Sequence, residues 1–169
     1  FRRLLFRSIQ RALAQFHGVG RRFDVYANRA LFDKQVTLVD DYGHHPTELA
    51  AVLRTARTAF AQQRLVSVFQ PHRYTRTRDL LDDFAAALML ADVVVLLPVY
   101  SAGESPIAGA DSKAIAQAMR LRGFQSVVVA DSMAQLHTVA KGLLLDDDVV
   151  LTMGAGDIGQ LSKQWREEA

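Results

Sequence analysis

Short apolar runs alternate with amphipathic stretches along most of the chain. Five runs have the β-branched and leucine-rich character of strands: VTLVD (36–40), LVSVF (65–69), VVVLLP (93–98), SVVVA (126–130) and VVLTM (149–153). Continuous apolar runs are typical of strands buried on both faces, as in parallel sheets. Strands that alternate with helices predict right-handed βαβ units.

The segments between these runs predict the helices. Apolar residues recur at helical spacing in each segment, as Leu49, Val52, Leu53, Ala56 and Phe60 do in the first. The predicted helices cover residues 46–60, 77–90, 112–121 and 132–144, and a last one carries Ile158, Leu161 and Trp165.

One further β-like run, RFDVYA (22–27), precedes the first parallel strand and is separated from it by a link of hairpin length. It therefore predicts an antiparallel edge strand. The predicted fold class is α/β, with a doubly wound sheet of about six mostly parallel strands and an antiparallel edge strand.

The start of the chain predicts a separate element. Residues 1–16 have the apolar stripe of a helix, and residues 17–169 form the predicted domain. We expect the helix to be a linker or the end of a preceding domain, with its first residues not native. Because the chain begins with Phe1, we expect a fragment or a processed product. A membrane-surface or targeting helix is the alternative for this basic segment.

Composition excludes several classes of function. The 169 residues suit one domain and include no cysteine, so neither disulfides nor a thiolate zinc site can form. The net charge is +2, but residues 1–11 hold four arginines and no acid. The remaining 16 basic and 18 acidic side chains argue against a nucleic-acid partner. No apolar run approaches the ~20 residues of a membrane span.

Four polar clusters follow the predicted strands at their carboxyl ends: DDYGHHPTE (40–48), QPHRYTRTRD (70–79), PVYSAGESPIAGAD (98–111) and GAGDIG (154–159). Ligands of open α/β sheets bind at this edge. The sequence therefore predicts one ligand site, built from these four loops.

Each cluster also has a purely structural interpretation. His44 and His45 suggest a metal, but no HxH or HxxxH spacing accompanies them, and Pro46 can simply begin a helix. Arg73, Arg76 and Arg78 favour a carboxylate or phosphate ligand, although Arg78 can instead pair with Asp79 or Asp82. We interpret GAGDIG as a tight strand-to-helix turn, since a dinucleotide fingerprint belongs after the first strand.

These motifs together resemble a known family. GVGRRFDVY, LVDDYGHHPTEL, FQPHRYTRTRDLLDDF, VYSAGESPIAGADS and GAGDIG are similar to the C-terminal domain of Mur ligases, and most similar to members that add L-alanine to UDP-N-acetylmuramate. The resemblance runs from about Ala12 to the end. It implies a Rossmann-like domain of a cytoplasmic bacterial enzyme that uses ATP and Mg²⁺ for peptidoglycan synthesis. The UDP-binding and central domains would lie outside this chain, and the Mg²⁺ ligands in the central one.

The resemblance also implies residue roles. Arg22 would approach the ATP phosphates, Asp41 the ribose and Tyr42 the adenine. His44, Arg73 and Arg76 would surround L-alanine. No residue of this domain is expected to be catalytic or to bind a metal, and the chain alone is expected to be inactive. The alternatives are a tripeptide-recycling muramate ligase domain, a non-catalytic nucleotide- or anion-binding module, and a structural domain with an interaction surface.

Overall fold

A computed structural model describes residues 19–167 of the chain. The helix predicted over residues 1–16 lies outside this range. The strands are β1 (Asp24–Leu31), β2 (Lys34–Asp41), β3 (Leu65–Phe69), β4 (Val93–Leu96), β5 (Val127–Val129) and β6 (Val149–Met153). The helices are α1 (Pro46–Ala59), α2 (Tyr74–Asp79), α3 (Leu81–Leu88), α4 (Ser112–Leu121), α5 (Met133–Leu143) and α6 (Ile158–Glu167).

The strands form one six-stranded sheet with the order β1-β2-β6-β3-β4-β5. Every neighbouring pair is parallel except β1 and β2, so the predicted antiparallel edge strand is confirmed. The hairpin is longer than expected because β1 continues to Leu31. Its turn consists of Phe32 and Asp33, whose φ values of 50° and 64° suit a two-residue hairpin turn.

Helices cover both faces of the sheet. One apolar core lies under α1, α3 and α4, and the second lies under α5 and α6, where Trp165 is fully buried. All five residues of β3 and of β6 are buried. This explains why both strands are mainly apolar, since a central strand of a doubly wound sheet meets a helix layer on each side. The predicted fold class is confirmed.

The helix predicted over residues 77–90 is two helices. α2 begins earlier, at Tyr74, and α3 follows after a break at Leu80, whose φ and ψ of −120° and 23° are not helical. The side chain of Leu80 packs against the first core, and the chain turns there. Leu80, Leu81, Phe84 and Leu88 have helical spacing, so the apolar pattern alone did not reveal the break. Within residues 19–167, no helix is long and apolar enough to cross a membrane.

Candidate functional site

The four polar loops meet at the carboxyl ends of β2, β3, β4 and β6, and we call this edge the carboxyl rim. Backbone hydrogen bonds hold the loops together. The Gly154 amide donates to the Asp41 carbonyl at 3.4 Å, and the Arg73 amide donates to the Tyr100 carbonyl at 2.8 Å. The Tyr100 amide donates in turn to the Pro71 carbonyl at 2.8 Å. Residues from four separate segments of the chain therefore share one surface.

A row of rings crosses the carboxyl rim. Tyr42 meets His44 edge-on at a centroid distance of 5.2 Å, and His44 lies 5.7 Å from His72. His72 stacks on Tyr100 at 5.4 Å. The row joins Tyr42 and His44, which the sequence predicted, to His72 and Tyr100, which it did not. His72 and Tyr100 lie in two of the four polar clusters, 70–79 and 98–111. Their place in these clusters was the only indication in the sequence that they belong to the site.

Arg73 and Arg76 flank this row, and their environments differ. The Arg73 side chain is 50% exposed, and its Nη1 lies 3.8 Å from Oε1 of Glu104. Nη1 of Arg76 is buried and has no hydrogen-bond partner among the described residues. A buried guanidinium nitrogen without an acceptor is costly, and a bound anion would supply one.

Arg78, the third arginine of this segment, does not join the site. Its Nε donates to Oδ1 of Asp79 at 2.8 Å, and both side chains are more than half exposed. The alternative interpretation, a solvated pair with a neighbouring acid, is therefore correct for Arg78. Asp82, the other suggested partner, accepts instead from Arg122 at 2.9 Å.

His72 is held in its neutral form. Burial lowers the pKa of His72 below its ordinary value, and the charges of Arg76, His44 and Arg73 lower it further. Its Nδ1 is buried without a hydrogen-bond partner among residues 19–167. At neutral pH the ring therefore leaves the positive charge of this part of the rim to the arginines.

Asp41 ties the end of β2 to the segment before β1. Its Oδ1 accepts from the Gly43 amide at 2.7 Å, and its Oδ2 accepts from the Phe23 amide at 2.8 Å. Burial raises the pKa of the Asp41 carboxyl, and these two backbone amides act in the opposite direction. Each oxygen has a second lone pair that a ligand hydroxyl could use.

Two consecutive arginines play different parts beside Asp41. Nε of Arg21 lies 3.1 Å from Oδ1 of Asp40, which is 1% exposed, and its Nη2 donates to the Gly154 carbonyl at 2.8 Å. Arg22 is exposed, and no hydrogen bond or ion pair joins it to the rest of residues 19–167. Sequence reasoning singled out Arg22 and missed Arg21, which connects the end of β2 to the loop after β6.

His45 has a structural role. Its backbone has an extended conformation at the N-cap of α1, and its Nδ1 accepts from the Thr47 amide at 3.4 Å. Glu48 completes the cap by accepting from the amides of His44 and His45 at 2.9 and 3.0 Å. Across residues 19–167, no group of three or more His, Asp or Glu side chains is arranged to hold a metal ion.

The GAGDIG segment forms a tight turn from β6 into α6. The Gln70 side chain joins this turn to the loop after β3, because its Oε1 accepts from the Ile158 amide and its Nε2 donates to Asp157. A Cβ at Gly156 would collide with Gln70 and Tyr100. The small residues therefore allow close contact between loops, as the structural interpretation predicted.

Gly154→Ala is expected to destabilise the domain. Gly154 has a φ of 143°, and an added Cβ would lie 2.8 Å from the Gln70 carbonyl oxygen. The backbone conformation alone costs about 1–3 kcal/mol for a residue with a side chain. Urea unfolding measures the change, with Gly142→Ala in α5 as the control, since nothing lies within 4 Å of its Cβ position. The control is expected to be neutral or stabilising by up to about 1 kcal/mol. Equal stability of the two variants would contradict this account of the turn.

Comparison with known protein families identifies the class of domain that has this fold. The family model described as "Mur ligase, glutamate ligase domain" matches residues 21–156. The chain therefore belongs to the Mur ligase family.

Individual relatives are more specific. The chain is 64% identical to a UDP-N-acetylmuramate–L-alanine ligase of Hydrogenovibrio crunogenus over 96% of its length, and 52% identical to that of Methylococcus capsulatus over 94%. It spans only 35% and 34% of these two relatives. The crystal structure of UDP-N-acetylmuramate–alanine ligase from Thermotoga maritima matches 98% of the chain with a TM-score of 0.70 and 30% identity, and the match spans 35% of that protein.

Proposed function

We propose that this chain is the amino-acid-binding C-terminal domain of an ATP-dependent ligase that joins L-alanine to UDP-N-acetylmuramate in peptidoglycan precursor synthesis. The bacterial cytoplasm, where ATP and the UDP-linked precursor are available, is the location that goes with this proposal. The observation that carries it is the arginine pair at the carboxyl rim, Arg73 and Arg76. Two guanidinium groups beside a neutral His72 suit one small carboxylate.

On the amino-acid side, Arg73 and Arg76 would bind the L-alanine carboxylate. His44 would lie close to the same substrate, because its ring is 5.7 Å from that of His72. Binding through the carboxylate leaves the amine free to attack. The domain would then contribute by orientation, since correct placement of two reactants lowers the barrier to their reaction.

On the nucleotide side, Arg22, Asp41 and Tyr42 are the proposed contacts. The exposed Arg22 has no partner among the described residues, and Tyr42 offers an aromatic face that is 47% exposed. The guanidinium suits phosphate oxygens, the Asp41 carboxylate suits a ribose hydroxyl and the Tyr42 ring suits adenine. ATP would supply the phosphoryl group that activates the muramyl carboxylate. Among the described residues, no group of three or more His, Asp or Glu side chains is arranged to hold a metal ion, and in this proposal the Mg²⁺ ligands belong to the central domain.

A tripeptide-recycling muramate ligase is the second candidate within the family. The murein peptide ligase of Psychrobacter arcticus shares the fold, with a TM-score of 0.67 at only 19% identity, so this likeness extends to the fold alone. The identities of 64% and 52% to alanine-adding enzymes favour the first proposal. The first proposal is tested on the multidomain enzyme of which this chain would be the C-terminal domain, called here the longer ligase. Phosphate release by the longer ligase is measured with ATP, UDP-N-acetylmuramate and L-alanine. Turnover with UDP-N-acetylmuramate and the tripeptide L-alanyl-γ-D-glutamyl-meso-diaminopimelate, in place of L-alanine, would support the recycling enzyme. Turnover with neither would support a non-catalytic module.

Residues 1–169 alone are expected to show no ligase activity. The chain has no GxxxxGK[ST] phosphate-binding loop, and residues 19–167 contain no group of three or more His, Asp or Glu side chains arranged to hold a metal ion. Phosphate release is measured with ATP, Mg²⁺, UDP-N-acetylmuramate and L-alanine, while circular dichroism verifies that the chain is folded. Sustained turnover by the folded 169-residue chain would contradict this prediction, because it would show that the UDP-binding and central domains are dispensable.

A further inference from the structure

Glu104 reaches from the loop between β4 and α4 to the segment that carries both arginines. Its Oε2 accepts from the Thr75 amide at 3.0 Å, and its Oε1 accepts from the Thr75 hydroxyl at 2.7 Å. Nη1 of Arg73 lies 3.8 Å from the same Oε1. The Glu104 side chain is 20% exposed, and the Arg73 side chain is 50% exposed.

The backbone at Arg73 depends on such support. Its φ of 74° is unusual for a residue with a side chain, and conformations of this kind persist only where the surroundings hold them. Arg73 also contributes no side-chain hydrogen bond to the start of α2. The Arg73 amide donates to the Tyr100 carbonyl, and the Thr75 amide donates to the Glu104 carboxylate. One loop, residues 98–111, therefore holds the arginine segment at two points, Arg73 and Thr75.

Glu104 also places a negative charge beside Arg73. The backbone amide of Thr75 lowers the pKa of Glu104, and the Thr75 hydroxyl, the Tyr74 amide and Arg73 lower it further, so the carboxylate is ionised at neutral pH. Its negative charge faces Arg73, whereas the buried Nη1 of Arg76 has no partner among residues 19–167. Glu104 thus restrains Arg73 through its Nη1, and an incoming anion would be bound by the other donors of Arg73 together with Nη1 of Arg76.

We propose that Glu104 is a positioning residue for L-alanine binding, which acts by holding the Thr75 backbone and the Arg73 guanidinium in place. The proposal rests on the proposed function, because it assumes that Arg73 and Arg76 bind the amino-acid carboxylate. Glu104 itself touches neither substrate nor ATP in this proposal. Loss of the Glu104 carboxylate would therefore weaken the binding of L-alanine and leave the binding of the other two substrates unchanged.

The test uses the longer ligase and compares the Michaelis constants of its three substrates. Glu104→Gln preserves the size of the side chain and removes the charge, and Thr75→Ala removes only the hydroxyl donor. We expect Glu104→Gln to raise the KM for L-alanine about ten- to a hundredfold, because charge-assisted hydrogen bonds are lost. Thr75→Ala should raise it less. The KM values for ATP and UDP-N-acetylmuramate should change less than about twofold, since no hydrogen bond or ion pair joins Glu104 to the proposed nucleotide contacts.

Asp79→Asn is the matched control. Asp79, like Glu104, is an acid paired with an arginine of residues 73–78, but it lies outside the site. Thermal unfolding of every variant verifies that it is folded. An unchanged KM for L-alanine in Glu104→Gln would overturn the inference and leave the proposed function intact. A joint rise of all three constants, or an equal effect of Asp79→Asn, would also overturn it, because either result indicates a general structural effect. If the unmodified ligase shows no turnover that depends on L-alanine, the proposed function is wrong and the inference is wrong with it.

Discussion

Replacing Arg73 or Arg76 by lysine in the longer ligase is expected to raise the KM for L-alanine from about ten- to more than a hundredfold. Lysine keeps the positive charge but loses the planar fork that binds a carboxylate through two hydrogen bonds. One charge-assisted hydrogen bond is worth roughly 1.5–3 kcal/mol, which sets this range. Turnover should fall as well, because a small displacement of the amine from the attack geometry is costly. Steady-state kinetics with each substrate varied in turn measure both effects.

Arg78→Lys is the control for these variants. Arg78 lies on α2, as Arg76 does, and is paired with the exposed Asp79. Lysine can keep such a surface pair, which contributes little in any case, so all three KM values should stay near those of the unmodified enzyme. If the Arg73 and Arg76 variants instead raise the KM for ATP and leave that for L-alanine unchanged, the arginine pair serves the nucleotide and the assignment is wrong.

The hydrophobic pattern was enough to predict the fold class because β3 and β6 are buried on both faces, and such strands have no alternating polar positions. Tertiary contacts decided what the pattern did not reveal. The break at Leu80 is one case, since its side chain continues the apolar stripe while its backbone leaves the helix. The extent of β1 is another. β1 pairs with β2 up to the turn at Phe32 and Asp33. The sequence pattern had predicted a strand over residues 22–27 only, followed by a link.

The location of the candidate site followed from topology, since parallel strands bring their carboxyl ends to one edge. Which side chains cooperate there depended on contacts between loops. His72, Tyr100 and Glu104 belong to two segments about 30 residues apart, and contacts between the loops after β3 and β4 bring them together. The consecutive Arg21 and Arg22 are chemically identical. Sequence alone therefore gave no reason to choose the one that faces the buried Asp40.

Arg21→Ala is expected to lower the free energy of unfolding by about 3 kcal/mol, the low end of the range for breaking a buried ion pair. Asp40 is 1% exposed and would lose its charged partner, although the Thr152 hydroxyl would still donate to it at 3.3 Å. The Gly154 carbonyl would lose its donor as well. Arg21→Lys should recover part of this loss, because it restores the positive charge beside Asp40 but not the fork that also reaches Gly154.

Arg22→Ala is the matched comparison, one residue away. Because Arg22 is exposed and has no partner among residues 19–167, its loss should change the unfolding free energy by less than about 0.5 kcal/mol. In the longer ligase the same variant should raise the KM for ATP, since a phosphate contact is removed. Urea unfolding of the domain and ATP kinetics of the enzyme separate the two roles. If Arg22→Ala unfolds the domain and Arg21→Ala weakens only ATP, the two adjacent arginines have been assigned the wrong way round.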